Sequence, residues 1–595
     1  MTTRSTRSPR RRTVVALAVV LAILSAFVVR LVDIQVVNAR EHIDDSLALG
    51  FAGAQTLYGA RGAIVDENGA TLAGSILLYD AQLDPMLAKD GVTRTGDDGE
   101  RIEVSWADLA SQMAQVTGQT AEEVEKVVTD ALAENPGSRF AYLKRGITTE
   151  QFRALADLGV PFLTFVPHPA RTYPDGAVGG NLVGFVGTDG APLAGLEKAQ
   201  NDCLSSTNGT RTYQRGKDGV ILPGTQVDEP AVDGGTLQLT VNRDLTWYLT
   251  QLIAEQAQNV GAKSGTITVV EAKTGKVRAA AEWPTVDPNN FEASISDDRY
   301  SRIFSGSFEP GSTFKALTAA IAIDAGGKNP GSTVTAASRE TFPNGATVRD
   351  PSAHPTNNYT LTGVLIDSSN VGISKFGESV SAQTRYDYLK KFGISQGGNF
   401  GLGSAVGELR TPDQWDNQTF YNTNFGQGLT TTVPELVGAY QTIANGGLRM
   451  PLSIVEGCTA SDGTVSETPD SAGEQVVAEK TADDVSLMLE NVATQGGLAK
   501  SIAIPGYRLA VKTGTGEKPD LVNGGYKSGA FFTTMIGFAP AEDPQYIVAV
   551  TLDEPVTVKS SAANAPAFQK AMTQVLKTYR VMPSESGTPE LPKFG

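Results

Sequence analysis

Ser312-Thr313-Phe314-Lys315 places a hydroxyl and an amine one helical turn apart. A serine hydroxyl is a poor nucleophile until a nearby base removes its proton. A lysine can be that base only where burial or a neighbouring cation lowers its pKa well below about 10.4. Lys512, in the run Lys512-Thr513-Gly514-Thr515, is the candidate neighbouring cation. Between these runs lies Ser368-Ser369-Asn370. In an extended or loop segment Ser368 and Asn370 point into one cleft. The Ser368 hydroxyl can then relay a proton, and the Asn370 amide can bond both Lys315 and a substrate amide. Lys512 and the hydroxyls of Thr513 and Thr515 suit an anionic group such as a terminal carboxylate, and Gly514 has no side chain to obstruct an approaching substrate. Backbone N–H groups of Ser312 and Thr515 can form an oxyanion hole, whose loss typically costs about 3 to 4 kcal/mol of barrier. Each run alone is common: Ser312 could merely cap a helix, Ser368–Asn370 could be an Asx-type turn, and Lys-Thr-Gly is a frequent exposed triplet. Together and in this order they indicate an enzyme whose serine attacks an amide-type carbonyl and is itself acylated. His42, His168 and His354 are too scattered for a metal site or a histidine triad, and the chemistry needs no metal or organic cofactor.

The elements that must hold these residues follow from periodicity. Glu309-Pro310-Gly311 is a helix-start signal that puts Ser312 at a helix N-terminus, with an apolar face continuing through Phe314, Ala316, Leu317, Ala320 and Ile321. Thr266–Val270 and Val277–Ala281 read as strands joined by a turn at Thr274-Gly275. Arg508–Thr515, Phe531–Gly537 and Ile547–Leu552 read as three more strands, and a terminal helix carries Phe568, Met572, Val575, Leu576 and Tyr579 on one face. Two strands, a mainly helical insertion, three strands and a helix make an α+β fold, one antiparallel sheet flanked by helices. Thr236–Val241 reads as a strand and Leu245–Ala257 as a helix. Upstream, the patterns are mixed. Arg61–Asp66 followed by Asn68-Gly69 reads as a strand into a tight turn, Ser105–Ala133 as helical, and Lys89–Glu100 as an exposed loop. The residues from Pro583 read as a flexible tail.

Composition narrows the setting. The 595 residues suffice for several domains, and a formal net charge of −16 argues against non-specific nucleic-acid binding. Cys203 and Cys458 could pair, but two free buried thiols are the plainer expectation for cysteines so far apart in sequence. Arg4, Arg7, Arg10, Arg11 and Arg12 precede an uncharged apolar run from Thr13 to Val29. That run is long for a signal peptide and no A-x-A site follows it, so a single uncleaved anchor is expected, with the arginines cytoplasmic and the rest of the chain outside the membrane.

With these residues in view the chain resembles the class B penicillin-binding proteins, most closely the FtsI-type division enzymes. Phe308-Glu309-Pro310-Gly311-Ser312-Thr313-Phe314-Lys315 is close to that family's nucleophile segment, and Asp367-Ser368-Ser369-Asn370-Val371-Gly372 to its second motif, with Ser369 where other branches have Asp. Phe425-Gly426-Gln427-Gly428-Leu429 and Ala444-Asn445-Gly446-Gly447 also resemble family segments. So do Arg61-Gly62-x-Ile64-x-Asp66, Arg171-x-Tyr173-Pro174 and Gly195-Leu196-Glu197 in the non-catalytic pedestal. The resemblance implies a penicillin-binding/serine β-lactamase-like transpeptidase domain at 234–582, with a five-stranded antiparallel sheet and a helical subdomain. Ahead of it would lie a cytoplasmic tail (1–12), an anchor (13–33) and an elongated pedestal of dimerisation type (34–233), and after it a flexible tail (583–595). It makes Ser312 the nucleophile and Lys315 its base, with Ser368, Asn370, Lys512, Thr513, Gly514 and Thr515 positioning the donor. It implies peptidoglycan stem peptides as partners, the donor ending in D-Ala-D-Ala and the acceptor offering an amine, and β-lactams as covalent inhibitors. A membrane glycosyltransferase and other division proteins are the further partners it suggests.

Other functions fit less well. A secreted β-lactamase would be about half this length, and a D,D-carboxypeptidase usually carries its catalytic domain first. A β-lactam-sensing receptor needs an output domain for which twelve residues before the anchor leave no room. No further module is expected after Tyr579. A catalytically idle division scaffold or a side-wall transpeptidase are the remaining alternatives, and a scaffold has no need of a Ser–Lys pair.

Overall fold

The computed structural model describes residues 9–33, 37, 51–95, 101–215, 221–398, 400–403, 405–520 and 522–595. The expectations for residues 1–8, for His42 and for the loop residues 96–100 lie outside these. The described residues form two compact units, Met1–Gly59 with Thr207–Val232, and Ala60–Ser206 with Asp233–Gly595.

In the first unit a helix spans Pro9–Val32. Its stretch Thr13–Val32, 20 residues of mean hydropathy 2.8, is long and apolar enough to cross a membrane, because 20 residues at about 1.5 Å rise span the hydrocarbon layer. The same unit holds a three-stranded antiparallel sheet in which Gly209–Arg215 lies between Phe51–Leu57 and Val227–Glu229.

The second unit contains the expected five-stranded sheet. Its strands are β1 (Ser264–Glu271), β2 (Val277–Trp283), β3 (Ala510–Pro519), β4 (Tyr526–Ala539) and β5 (Tyr546–Asp553). The order is β2-β1-β5-β4-β3, antiparallel throughout. Period-two alternation divides its side chains between two cores. Ile267, Val269, Val548 and Val550 face one way, onto α1 (Arg243–Val260) and α7 (Ala565–Thr578), through Leu249, Ile253, Phe568, Met572 and Leu576. Val270, Ala280, Phe538 and Ala549 belong to the other core, which the helical insertion supplies. That insertion brings α2 (Lys315–Asp324), α3 (Leu361–Ile366), α4 (Asn370–Gly377), α5 (Val433–Ala444) and α6 (Glu479–Gln495). Every residue of α5 is buried, so it forms the centre of this layer.

A second, seven-stranded sheet gathers Ile64–Val65, Thr71–Leu83, Ala141–Ile147, Leu163–Thr172 and Thr236–Leu239, and continues through Val455–Thr459 to Val465–Ser466 from the insertion. Three sequence boxes converge beneath it. The Glu197 carboxylate, fully buried, accepts from Arg61 Nε at 2.7 Å and Arg171 Nε at 2.6 Å, and the Tyr173 hydroxyl lies 3.4 Å from it. Removing one partner of a buried ion pair strands the other charges, typically at about 3–5 kcal/mol. Glu197→Ala should therefore lower the thermal unfolding midpoint by several degrees; an unchanged midpoint in calorimetry would show that this knot does not hold the fold.

Three expectations need correction. Cys203 and Cys458 are joined in a disulfide rather than left as free thiols. Pairing across the second sheet sets Leu237 opposite Cys458, while Gly235 N donates to Cys203 O at 2.8 Å, and this brings together cysteines 255 residues apart. The Lys89–Glu100 stretch is not simply a loop, because Val92–Thr95 pairs with Arg101–Val104. The tail expected to be flexible from Pro583 is packed. Ser584 Oγ accepts from Arg508 N at 2.9 Å, Asn491 Nδ2 donates to Pro589 O at 3.1 Å, and Thr360 Oγ1 donates to Pro592 O at 2.7 Å. Proline, serine and glycine advertised a loose end, but the carbonyls of this segment find donors on helix and strand edges.

Candidate active site

Ser312 lies in a single 3-10 turn, Gly311–Phe314, that runs directly into α2. Continuing the helix brings Lys315 back over the turn, where its Nζ donates to Ser312 Oγ at 2.9 Å. The same ammonium bonds the Ser368 carbonyl oxygen and, at 3.1 Å, Ser368 Oγ. Lys512 Nζ reaches Ser368 Oγ from β3, also at 3.1 Å. Ser368 Oγ therefore stands between two lysines, one of which also bonds Ser312 Oγ. Ser368 itself has φ 56°, a left-handed backbone that serine rarely adopts, imposed by the turn between α3 and α4.

Both lysine side chains are fully buried. Burial holds the Lys315 amine well below the ordinary lysine range, the charge of Lys512 pushes it further down, and Asp350 opposes both. Burial brings Lys512 down to about 7. The charge of Lys512 beside the shared Ser368 hydroxyl thus favours the neutral form of Lys315.

The strand side of the cleft is β3, the edge strand of the sheet. It carries Lys512, Thr513, Gly514 and Thr515 and lies flush against the Gly311–Phe314 turn. A side chain at Gly514 would come within 2.7 Å of Pro310 O and 2.9 Å of the Thr313 methyl, so only glycine lets strand and turn close together. Thr513 and Thr515 are half-buried on this strand, and Thr515 Oγ1 accepts from Ser561 N at 3.3 Å.

Asn370 is the residue whose partner differs from expectation. It begins α4 beside Ser368, but its amide nitrogen donates to Arg349 O at 2.8 Å instead of bonding Lys315. That contact fixes the amide's orientation and leaves its oxygen as an acceptor.

Several residues to which the sequence assigned no part in the site support it. The Tyr440 hydroxyl, on fully buried α5, donates to Thr313 O at 2.7 Å. Asp350 accepts from Val371 N at 2.9 Å through one oxygen and meets His354 Nε2 at 2.7 Å through the other. Glu309 accepts from Gly428 N at 3.0 Å and from the Tyr526 hydroxyl at 3.0 Å, and burial pushes its carboxyl up to about 7. The Phe425–Leu429 segment was visible in sequence only by resemblance; its role is to receive Gly311 N on Gly426 O at 3.0 Å. The others carry no local signal, since their partners lie up to 217 residues away.

Residues 265–573 match the penicillin binding protein transpeptidase domain, and residues 56–239 the penicillin-binding protein dimerisation domain. The penicillin-binding protein PbpB of Mycolicibacterium smegmatis is 33% identical over 554 residues, 89% of this chain and 85% of that one. The chain belongs to the class B penicillin-binding proteins. This family consists of serine acyltransferases built on a transpeptidase domain. The Escherichia coli protein named peptidoglycan D,D-transpeptidase FtsI is 29% identical, over 91% of this chain and 87% of its own. Among solved structures, penicillin binding protein 3 from Mycobacterium tuberculosis complexed with aztreonam aligns with a TM-score of 0.68 at 27% identity, covering 89% of this chain and 98% of that one. This class B protein thus shares its architecture with a relative that takes a β-lactam.

Proposed function

We propose that this class B penicillin-binding protein is a peptidoglycan D,D-transpeptidase of septal wall synthesis, acting through an acyl-enzyme on Ser312. The observation that carries the reading is the 2.9 Å contact between Ser312 Oγ and the buried amine of Lys315. Neutral Lys315 takes the Ser312 proton as Oγ bonds to the carbonyl carbon of the donor's penultimate D-Ala. The amide C–N bond breaks, and its nitrogen receives a proton relayed from Lys315 through Ser368 Oγ, so the terminal D-Ala leaves as the free amino acid. An acceptor amine then attacks the ester, a new amide forms, and Ser312 recovers its proton.

The remaining roles follow the same geometry. Lys512, Thr513 and Thr515 hold the donor's terminal carboxylate, and Gly514 lets their strand close on the Ser312 turn. The Asn370 amide oxygen accepts the donor's N–H, and the N–H groups of Ser312 and Thr515 stabilise the oxyanion. The transpeptidase domain spans 234–582 and the pedestal 34–233. The helix over Thr13–Val32 anchors the chain with its arginine-rich N-terminus in the cytoplasm and the catalytic part outside. A membrane glycosyltransferase and other division proteins are its working partners, as the resemblance to the FtsI-type enzymes implies. β-Lactams acylate Ser312 in place of the donor.

The test is product analysis with the full-length chain, a D-Ala-D-Ala-ended donor and a labelled amine acceptor. Free D-Ala together with labelled amide product is the expected result. D-Ala release with hydrolysis alone would make the protein a carboxypeptidase, and no release at all an idle scaffold.

A further inference from the structure

The packed C-terminal segment does more than cover a helix. Ser584 and Ser586 meet Arg508, the backbone of Pro589 and Leu591 bonds the side chains of Asn491 and Gln495 on α6, and the segment ends against α3. There Lys593 O accepts from Thr360 N at 3.2 Å, Phe594 bridges to Tyr359 as an added antiparallel strand residue, and Gly595 N donates to Asn358 O at 3.0 Å. The approach is too close for any side chain on α3 at that point: a Cβ at Gly363 would lie 1.9 Å from Lys593 O. The Phe594 ring packs on Tyr359 with centroids 5.2 Å apart.

This docking delivers one charge to one place. Lys593 Nζ lies 2.6 Å from Asp367 Oδ1, while Asp367 Oδ2 accepts from the Tyr359 hydroxyl at 3.0 Å. Asp367 is the residue immediately before Ser368. Ser368 must hold an unfavourable left-handed backbone while its hydroxyl meets both lysines, and such a conformation persists only where the surroundings over-determine it. On the other side of the motif Asp350 grips Val371 N. The Ser368–Asn370 segment is thus pinned at both ends by carboxylates, and one of them is oriented by the tail.

We infer that Lys593 is a positioning residue for the acyl-transfer reaction: through Asp367 it fixes the backbone that presents Ser368 Oγ between Lys315 and Lys512. This rests on the reading of Ser312 as the acylated nucleophile. Lys593 touches neither donor nor nucleophile, so its loss should slow the chemical step without weakening binding. A misplacement of about 1 Å at a reacting group can cost up to about 10²-fold in rate.

The experiment measures benzylpenicillin acylation of the full-length protein across a concentration series, separating the rate constant at saturation from the dissociation constant of the initial complex. Lys593→Ala should lower the saturating rate about tenfold and leave the dissociation constant within twofold. Lys593→Arg should recover most of the rate, because the guanidinium can also pair with Asp367. The Lys593→Ala/Asp367→Asn double variant should be no slower than Asp367→Asn alone. The thermal midpoint of Lys593→Ala should stay near wild type, since the pair is about one-third exposed on both sides. A wild type that is never acylated would sink the reading of Ser312. A wild type that is acylated, with Lys593→Ala equally fast or Lys593→Arg equally slow as Lys593→Ala, would overturn the role of Lys593 alone.

Discussion

Ser312→Ala will take up no covalent label at any benzylpenicillin concentration, while its thermal midpoint stays at the wild-type value. Two hydroxyls lie within reach of the Lys315 amine, those of Ser312 and Ser368. Ser368 Oγ is held between two buried amines at 3.1 Å each, a relay position, and its carbonyl is also bound by Lys315. Ser312 Oγ has Lys315 on one side, lies in the 3-10 turn that leads into α2 and is half-buried. Truncating it removes the hydroxyl that the proposed mechanism acylates, yet deletes a single half-buried group, which the fold barely registers. Retained labelling, located by peptide mass spectrometry, would transfer the nucleophile's role to another residue.

The second large effect is Lys315→Ala, expected to slow acylation by about 10²–10⁴-fold, as loss of a general base typically does. The substitution should cost little stability, because a buried amine is itself expensive to desolvate. The pH dependence follows from the direction of the shifts. With Lys315 as the proposed base, acylation requires its neutral form, so the rate should fall as pH drops through its pKa, which burial and Lys512 place well below the ordinary lysine value. Lys512→Gln removes a positive neighbour, makes protonated Lys315 less unfavourable and raises its pKa. The acid limb of the acylation profile should then move to higher pH. A limb that stays in place would mean that Lys512 does not tune the base, and a Lys315→Ala rate near wild type would mean that another group takes the proton.

Much of this site could be read from the chain because its parts are short, local patterns. Ser312 and Lys315 are separated by one helical turn, and a helix is the conformation that brings them within 2.9 Å. The short apolar runs of β1, β2, β4 and β5 marked the sheet, because strands buried on both faces read as near-continuous apolar stretches. What stayed hidden depends on contacts across long sequence intervals. Cys203 and Cys458 look unrelated until Thr236–Leu239 pairs with Val455–Thr459. Asn370 has no local reason to choose Arg349 O over Lys315; the choice depends on where the Thr347–Arg349 strand passes. The Pro583–Gly595 segment has the composition of a loose end, and its backbone finds partners far away in sequence, on Gly506, α6 and the Asn357–Thr360 strand. Asp350, Tyr440 and Glu309 were missed for the same reason: each acts through a backbone group that its own sequence neighbourhood does not contain.

The most direct test of the central claim is intact-mass and peptide mass spectrometry of the wild-type protein after exposure to benzylpenicillin. A stable adduct of one drug per chain, located on the peptide that contains Ser312, is the result expected from a serine activated by a buried lysine. No adduct at high drug concentration, or an adduct on any other residue, would contradict it.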